Sequence, residues 1–433
     1  MLYRIVRPLA ALSLRAYYRK IYLTHAERIP KGKPVILASN HPTAFLEPCI
    51  LACFLDRPLY FLVRGDLFKK PFYASLLRGL HMLPVFRLKD GGYGKLKDNY
   101  STFEACHTAL AERKTIMILA EGNTIQEKRL RPLQKGAARI ALGTLDAQPQ
   151  VEEAFIVPVG VNFTYANRPR TEVYIDFGEP IPVSTHLAEF RENNNQAMAA
   201  LTEVLRGGME QHIIIVARKE DDELAEYLFQ LYRTGHPNAA LPIVSDTGSP
   251  LYPEKAIAAT INELSGEKRR ELLSLSRDYF QALGAHALDD RAAGGRNYAT
   301  AVNAILLVLG FPFFLTGYLW NYLPARLGKN VSDTKVKTLE FKSPVRWAAT
   351  LGAYLAYVLL WLLIAAIAGH WAIGLVVIVV LVFLGHSSYY YREFAERFRM
   401  SRAFGRLDAG QQSELQDKRA AVLAAFRGMG GHI

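Results

Sequence analysis

Two long apolar stretches near the C-terminus limit what this chain can fold into. Residues 347–368 and 371–389 each approach the roughly 20 apolar residues that a helix needs to cross a bilayer, and only Gly369 and His370 separate them. In hydrocarbon every backbone N–H and C=O group needs an internal partner, so two such stretches in succession favour a tight helical hairpin. The sequence therefore predicts a chain that is held in a membrane through its C-terminal third.

A third apolar stretch, residues 301–323, precedes the hairpin and is interrupted by Gly310 and Pro312. Basic residues occur throughout segment 324–346, which we expect to be a loop, and again after Tyr391, and the positive-inside rule places both regions in the cytoplasm. A full crossing by this stretch would leave the N-terminal part of the chain outside without an export signal. We therefore predict a re-entrant or kinked segment with both ends cytoplasmic, and an ordinary span is the alternative.

The region 34–186 alternates short apolar segments with amphipathic ones. The expected strands are residues 34–38, 59–63, 82–87, 115–120, 154–163 and 172–183, and the expected helices are residues 44–55, 71–80, 96–113 and 135–142. This alternation predicts an α/β layer domain with a mostly parallel sheet. Sites in such sheets lie beyond the carboxyl ends of the strands.

The other segments complete the predicted organisation of the chain. Residues 1–33 mix basic and aromatic residues at helical spacing, which favours an amphipathic helix on the membrane surface or a helix packed on a soluble domain. Residues 187–298 are polar and helical in pattern, and we interpret them as a helical lobe. Residues 299–391 contain the membrane segments, and residues 392–433 are expected to form a basic cytoplasmic tail. The catalytic domain is then expected on the cytoplasmic face of the membrane.

Composition limits the kinds of partner that the chain is expected to bind. The net charge of +12 suits an anionic membrane surface, a phosphorylated substrate or nucleic acid. The sequence has neither zinc-type spacing nor an RNA-binding aromatic signature, so we expect no metal site and no nucleic acid. The three cysteines, Cys49, Cys53 and Cys106, form no disulfide framework, which favours a reducing compartment. Cys49 and Cys53 lie in an apolar stretch and are expected in the core.

The segment SNHPTAFLEP, residues 39–48, contains the first candidate site. His41 comes just past the end of a predicted strand, and Pro42 suits the first turn of a helix. Glu47 lies six residues after His41, beyond the positions that pair directly on a regular helix, so an irregular turn must bring the two together. Glu47 would then hold one ring nitrogen and leave the other as a base, which could deprotonate a hydroxyl that attacks a thioester.

Three further segments accompany this one in a fixed order. They are VRGDLFKKPFYASLLRGLHMLPVFR (residues 63–87), AEGNTIQEKRLRPLQKGAARIAL (residues 120–142) and IVPVGVNF (residues 156–163). The set resembles the glycerolipid acyltransferase superfamily, of the bacterial 1-acylglycerol-3-phosphate acyltransferase type. It looks nearest to the branch that acts on glycerol-3-phosphate or dihydroxyacetone phosphate. The resemblance covers about residues 3–183.

The resemblance implies a membrane-associated O-acyltransferase of phospholipid biosynthesis. Such an enzyme moves a fatty acyl group from acyl-CoA or acyl carrier protein to glycerol-3-phosphate or 1-acylglycerol-3-phosphate, without a metal or redox cofactor. His41 matches the family's histidine, implied to be the general base. The family usually has four residues between this histidine and an aspartate, whereas here five residues separate His41 from Glu47.

The other motifs imply a substrate-binding set. Arg87 matches the arginine of the second motif and is implied to bind glycerol-phosphate. Glu121 and Gly122 match the third motif, and with Asn123 they would frame the phosphate and the glycerol. Pro158 matches the fourth motif and is implied to shape the acyl-donor site.

One family residue is missing from its usual place. The third motif normally continues with Thr-Arg, whereas this chain has Asn123 and Thr124, so the usual phosphate-binding arginine is absent there. Arg129, Arg131 and Lys135 are the candidates to replace it. The departure keeps open an acceptor of another kind, such as a lyso-aminolipid. A non-catalytic lipid-binding scaffold is the alternative from another class.

Overall fold

The structure is a computed structural model that describes residues 2–85 and 99–433. It divides into two compact units. The first contains Met1–Ile214, Ala240–Leu251 and Thr338–Pro344, and the second contains Ile215–Ala239, Tyr252–Lys337 and Val345–Ile433.

The first unit is built on one sheet. Its strands are β1 (Lys20–Thr24), β2 (Val35–Ser39), β3 (Leu59–Arg64), β4 (Met82–Val85), β5 (Thr115–Leu119), β6 (Phe155–Phe163), β7 (Glu172–Phe177), β8 (Ile181–Pro182) and β9 (Val244–Ser245). Their order is β4-β3-β5-β2-β6-β7-β1-β9, and β8 pairs with β6. The five neighbouring strands β4, β3, β5, β2 and β6 run parallel to one another. Strand β7 is antiparallel to β6, β1 is parallel to β7, and β9 is parallel to β1. The mostly parallel α/β sheet confirms the predicted fold class.

Helices cover this sheet. They are α1 (Leu2–Tyr17), α2 (Leu46–Phe54), α3 (Pro71–Gly79), α4 (Asn99–Ala111), α5 (Gly136–Ala147), α6 (Leu187–Glu192) and α7 (Asn194–Glu210). Every residue of β2 is buried, as in a parallel strand that is covered on both faces. Its neighbours β5 and β6 are nearly as buried, so the core of this unit lies at the centre of the sheet.

The sheet extends beyond the predicted region 34–186. β1 lies within segment 1–33, and all five of its residues are buried, including Lys20. The charged first residue and the short length hid this strand from the hydrophobic pattern. The expected strand 172–183 is divided into β7 and β8, and residues 187–298 contribute β9 in addition to helices. Parts of the expected strand 82–87 and helix 96–113 lie outside the described residues.

Further helices follow α7 along the chain. They are α8 (Asp222–Gly235), α9 (Leu251–Glu263), α10 (Gly266–Ala285), α11 (Asp290–Gly294), α12 (Ala301–Lys335), α13 (Leu339–Ile367), α14 (Trp371–Phe404) and α15 (Ala409–Gly428). By length and composition, α12, α13 and α14 could each cross a membrane, which supports the predicted membrane association.

One expectation for this region is wrong. Segment 324–346 is not a loop. α12 continues through Gly310 and Pro312 as far as Lys335, and only residues 336–338 separate it from α13. Proline is tolerated inside such helices because nearby groups satisfy the freed backbone. Residues 392–433, expected as a basic cytoplasmic tail, are largely helical. They form the end of α14 and the helix α15, where Arg419 makes an ion pair of 2.8 Å with the buried Asp290.

Small residues bring α12 and α14 close together. A Cβ atom at Gly317 would lie 2.3 Å from the carbonyl oxygen of Leu384, so no larger residue fits there without a shift of the backbone. Ser388 Oγ donates a hydrogen bond of 3.2 Å to the carbonyl of Phe314. Small and hydroxyl-bearing residues at the contact are typical of helices that associate in lipid.

Candidate active site

His41 lies beyond the carboxyl end of β2. The side chain of Asn40 positions it by pairing with the backbone of Val161: its Nδ2 donates to the carbonyl at 2.9 Å, and its Oδ1 accepts from the N–H at 2.8 Å. These bonds continue the contact between β2 and β6 by one residue and then let the chain turn away. The His41 residue is only 6% exposed.

An irregular turn brings Glu47 to the histidine ring. The Oε1 atom of Glu47 lies 3.7 Å from His41 Nδ1, too far for a hydrogen bond. The backbone N–H of Thr43 donates to Glu47 Oε1 at 2.6 Å, and the Thr43 hydroxyl donates to Oε2 at 2.7 Å. Helix α2 begins only at Leu46, so the expectation that Pro42 occupies its first turn is wrong. The five intervening residues form the turn that a regular helix would not allow.

The ring nitrogen that faces Glu47 is unsatisfied. Within residues 2–85 and 99–433, His41 Nδ1 is buried and has no hydrogen-bond partner. Catalytic hydrogen bonds are often long in a free enzyme and shorten when substrate binds. A shift of less than about 1 Å would let Nδ1–H donate to Glu47 and leave Nε2 as the base.

Glu121 lies at the carboxyl end of β5 and joins two parts of the site. Its Oε2 accepts from the backbone N–H of His41 at 2.7 Å and from Nη2 of Arg131 at 2.7 Å. Its Oε1 accepts from the backbone N–H of Arg131 at 2.9 Å. Both carboxylate oxygens are therefore engaged by the protein, and the carboxylate fixes the backbone of His41 and the guanidinium of Arg131 together.

The turn after Glu121 requires glycine. Gly122 has a φ of +71°, and a Cβ atom there would lie 2.9 Å from Cγ of Gln134. The next carbonyl, that of Asn123, accepts a hydrogen bond from Nη2 of Arg131. The turn therefore lies in contact with the guanidinium of Arg131. Any residue other than glycine at position 122 would be strained.

Of the three candidate phosphate-binding cations, the structure brings one into contact with Glu121. The Arg131 side chain is 15% exposed, so part of its guanidinium is accessible. Arg129 instead pairs with Glu127 at 3.0 Å, and Lys135 donates to the carbonyl of Asn195 at 3.3 Å. Arg87 lies outside the described residues.

Pro158 lies inside β6, where it pairs with Ala38 of β2. It is buried, and a Cβ atom at Gly208 of α7 would lie 2.7 Å from its Cγ. Pro158 therefore packs directly against α7. Its implied role at the acyl-donor site stays a prediction.

The first turn of α13 is a component that the sequence analysis did not predict. Its Glu340 carbonyl accepts from the N–H of Ala44 at 3.1 Å, next to the His41 segment. The Glu340 carboxylate accepts from the N–H of Gln126 at 3.4 Å, in the segment after Glu121. Residues 338–344 thus contact both site segments, although they are more than 200 residues away in sequence.

The cysteines are poor nucleophiles. Burial raises the pKa of Cys53 and of Cys106 to about 12, and it also raises the pKa of Cys49. A thiol with a pKa of about 12 is almost entirely protonated at neutral pH, and the protonated form does not attack.

We therefore expect thiol-specific alkylation of the native protein to be slow at pH 7. The rate should rise about tenfold per pH unit toward pH 12, because the thiolate fraction grows with pH while the pKa values stay high. Mass spectrometry of maleimide adducts, with a denatured sample as the reference, measures this. Rapid labelling of the folded protein at pH 7 would contradict the raised pKa values.

The described residues contain no group of three or more His, Cys, Asp or Glu side chains that could hold a metal ion. The site consists instead of a histidine beside a carboxylate and a second carboxylate beside an arginine. Such a set can move a proton from a hydroxyl and hold an anionic group. At the carboxyl ends of β2 and β5, it defines an acyltransferase-type α/β domain.

Comparisons with known proteins agree with this class. The acyltransferase family matches residues 20–162. Glycerol-3-phosphate O-acyltransferase 1 of Saccharomyces cerevisiae is 28% identical over 145 residues, covering 33% of this chain and 19% of the yeast protein. Glycerol-3-phosphate O-acyltransferase 2 of the same yeast is 29% identical over 102 residues, covering 24% of this chain and 14% of the yeast protein.

A solved structure is also similar. The 1-acyl-sn-glycerophosphate acyltransferase PlsC of Thermotoga maritima aligns with a TM-score of 0.35 and 17% identity, over 48% of this chain and 78% of that one. The acyltransferase family match over residues 20–162 confirms the resemblance to the glycerolipid acyltransferase superfamily that the motifs carry. The matched segments span less than a fifth of the length of either yeast relative.

Proposed function

We propose that this chain is a membrane-associated O-acyltransferase that acylates a glycerol-phosphate acceptor with an acyl thioester. The observation that carries the proposal is the pair of carboxylates around His41. Glu47 lies beside the ring, and Glu121 accepts from the His41 backbone and pairs with Arg131. The donor would be acyl-CoA or acyl carrier protein. The acceptor would be glycerol-3-phosphate, as the names of the two yeast relatives suggest, or 1-acylglycerol-3-phosphate, as the motif resemblance implies.

The proposed reaction is a direct transfer. The acceptor oxygen bonds to the thioester carbonyl carbon while Nε2 of His41 takes the hydroxyl proton. The C–S bond then breaks, and the leaving thiolate takes the proton back from the imidazolium. Glu47 stabilises the imidazolium, and Arg131 binds the phosphate. The step needs neither a covalent acyl-enzyme nor a metal or redox cofactor.

In the proposal, the reaction takes place at the membrane surface. The products are lipids, and the apolar helices α12, α13 and α14 would keep the domain where those products partition. Basic residues flank the apolar stretches and favour the cytoplasmic face for the catalytic domain.

The decisive assay is thiol release by the purified full chain in detergent. Palmitoyl-CoA and palmitoyl-acyl carrier protein are tested as donors, each with glycerol-3-phosphate and with 1-acylglycerol-3-phosphate. We expect release that depends on one of the two acceptors. Release only with a lyso-aminolipid would replace the proposed acceptor, and a folded protein that is silent with every donor and acceptor would be a scaffold.

Glutamine at position 47 should reduce kcat by about tenfold to a hundredfold. Glu47→Gln removes the negative charge that stabilises the imidazolium, but its amide can keep both hydrogen bonds with Thr43. Initial rates at saturating donor and acceptor measure the effect. Glu47→Ala is the matched comparison and should cost more activity and stability, because it leaves the buried N–H of Thr43 without its acceptor. Unchanged kcat in Glu47→Gln would remove Glu47 from the mechanism.

A further inference from the structure

A cavity of about 230 Å³ lies within the second unit, between α12, α13 and α14. This volume is many times the roughly 10–15 Å³ that one water molecule needs, so it admits a ligand group of several atoms. Four cationic residues line it: Arg326 and Lys329 from α12, Arg346 from α13 and Arg392 from α14. Three separate helices therefore contribute positive charge to one space.

Most of this positive charge has no acidic partner among the described residues. Lys329 pairs with Asp333 on its own helix. The side chains of the other cations, Arg326, Arg346 and Arg392, have neither an ion pair nor a hydrogen bond with any residue in the part of the chain that the structure describes. Three guanidinium groups around one cavity repel each other unless an anion enters. A guanidinium also presents paired N–H donors that match the oxygens of a phosphate.

The floor of the cavity is polar and ordered. Asn321 donates hydrogen bonds to the carbonyls of Gly317 (2.7 Å) and Leu381 (3.1 Å). Its side-chain oxygen accepts from the hydroxyl of Tyr354. The cavity therefore lies beside a direct contact between α12 and α14.

The cavity also lies where apolar sequence meets basic sequence. Arg326 follows the apolar part of α12, and Arg392 follows the apolar part of α14. On α12 the exposed side chains of Leu319, Leu323 and Leu327 repeat every four residues, next to the positions that line the cavity. Basic pockets between membrane helices are known to hold the headgroups of anionic lipids.

We propose that this cavity binds a phosphate monoester, either as the headgroup of a lipid or as a small soluble phosphate. A monoester carries nearly two negative charges at neutral pH, whereas a phosphodiester carries one, so the monoester offsets three unpaired guanidinium groups better. None of the cavity residues takes part in the proposed acyl transfer, so this site is additional to it and does not depend on it.

The test measures equilibrium binding to the purified full chain in detergent. The lipid probe is dioctanoyl phosphatidic acid, with dioctanoyl phosphatidylglycerol as the phosphodiester comparison. Glycerol-3-phosphate and inorganic phosphate are the soluble probes. We expect tighter binding of the monoester lipid than of the diester lipid, and at least a tenfold rise in its Kd in the double variant Arg326→Gln/Arg392→Gln.

The matched control is the double variant Lys335→Gln/Arg399→Gln. It removes the same charge from the same two helices, at exposed residues outside the cavity. Its Kd for the lipid should stay within about twofold of the parent value, because neither side chain lines the cavity. Arg346→Gln provides a second cavity variant on α13 if the double variant does not keep its helical circular dichroism.

The outcomes separate the two sources of phosphate. Loss of lipid binding in the cavity variants, without measurable binding of the soluble probes, assigns the site to a lipid headgroup. Soluble phosphates that bind with the same dependence on Arg326 and Arg392 assign it to a free phosphate compound. Equal weakening in the control, unchanged binding in the cavity variants, or equal affinity for the diester lipid would overturn the proposal.

Discussion

Alanine at position 41 should lower kcat by a factor of about 10² to 10⁴ while the protein stays folded. The proposed mechanism gives one group, the imidazole of His41, the task of taking the acceptor proton. Folding should depend on it little, because His41 Nδ1 has no hydrogen-bond partner among the described residues and the loop is held through backbone groups. The rate of thiol release and the thermal midpoint of the same preparation measure the two effects.

His107→Ala is the matched control for this variant. His107 lies on α4, and burial lowers its pKa, so it is a partly buried neutral histidine without a role in the proposed reaction. This substitution should leave kcat within about twofold, since substitutions away from special features usually have small effects. If His41→Ala kept near-full activity, the general-base mechanism would be wrong, whatever the acceptor.

Local patterns in the sequence were sufficient to predict much of the sheet and the placement of His41. The apolar segment of β2 and the polar residues that follow it show that a site residue emerges at a strand end. The spacing of six residues to Glu47 likewise shows that the turn must be irregular, and the structure has that turn between His41 and Leu46. These conclusions depend on residues that are near each other in the chain.

Contacts between distant segments could not be predicted in this way. Nothing in the local pattern indicates that Glu121 accepts from the backbone of His41, 80 residues away, or that Glu340 reaches the N–H of Ala44. The same limit explains β1, whose place beside β7 depends on a strand that comes about 150 residues later. The charged residues that follow the apolar part of α12 suggested a loop. They lie on the same helix, whose other side packs against neighbouring helices.

Glu121 is the second position where a single substitution should have a large effect. Glu121→Gln removes the charge that pairs with Arg131 and weakens the support of the His41 backbone. Breaking a buried ion pair typically costs about 3–5 kcal/mol, and partial exposure of Arg131 places the expected loss of unfolding free energy near the lower end. A displacement of about 1 Å at the base can reduce kcat by about a hundredfold.

Glu179→Gln is the matched control, because Glu179 forms an ion pair of 3.0 Å with Arg28, which is not a residue of the site, and its side chain is exposed. It should change the thermal midpoint and kcat only slightly, as expected for a partly exposed pair. A double-mutant cycle of Glu121→Gln with Arg131→Gln should show strong coupling, because each residue is the other's partner.

The kinetic parameters of Glu121→Gln distinguish two roles for this carboxylate. If Glu121 positions His41, kcat falls and the thermal midpoint drops in the same variant, and the two losses share one cause. If Glu121 instead contacts the acceptor, as the family motif implies, KM for the acceptor rises while kcat and the thermal midpoint stay near the parent values. Because both carboxylate oxygens already accept hydrogen bonds from His41 and Arg131, we expect the first result, and the second would contradict the positioning role.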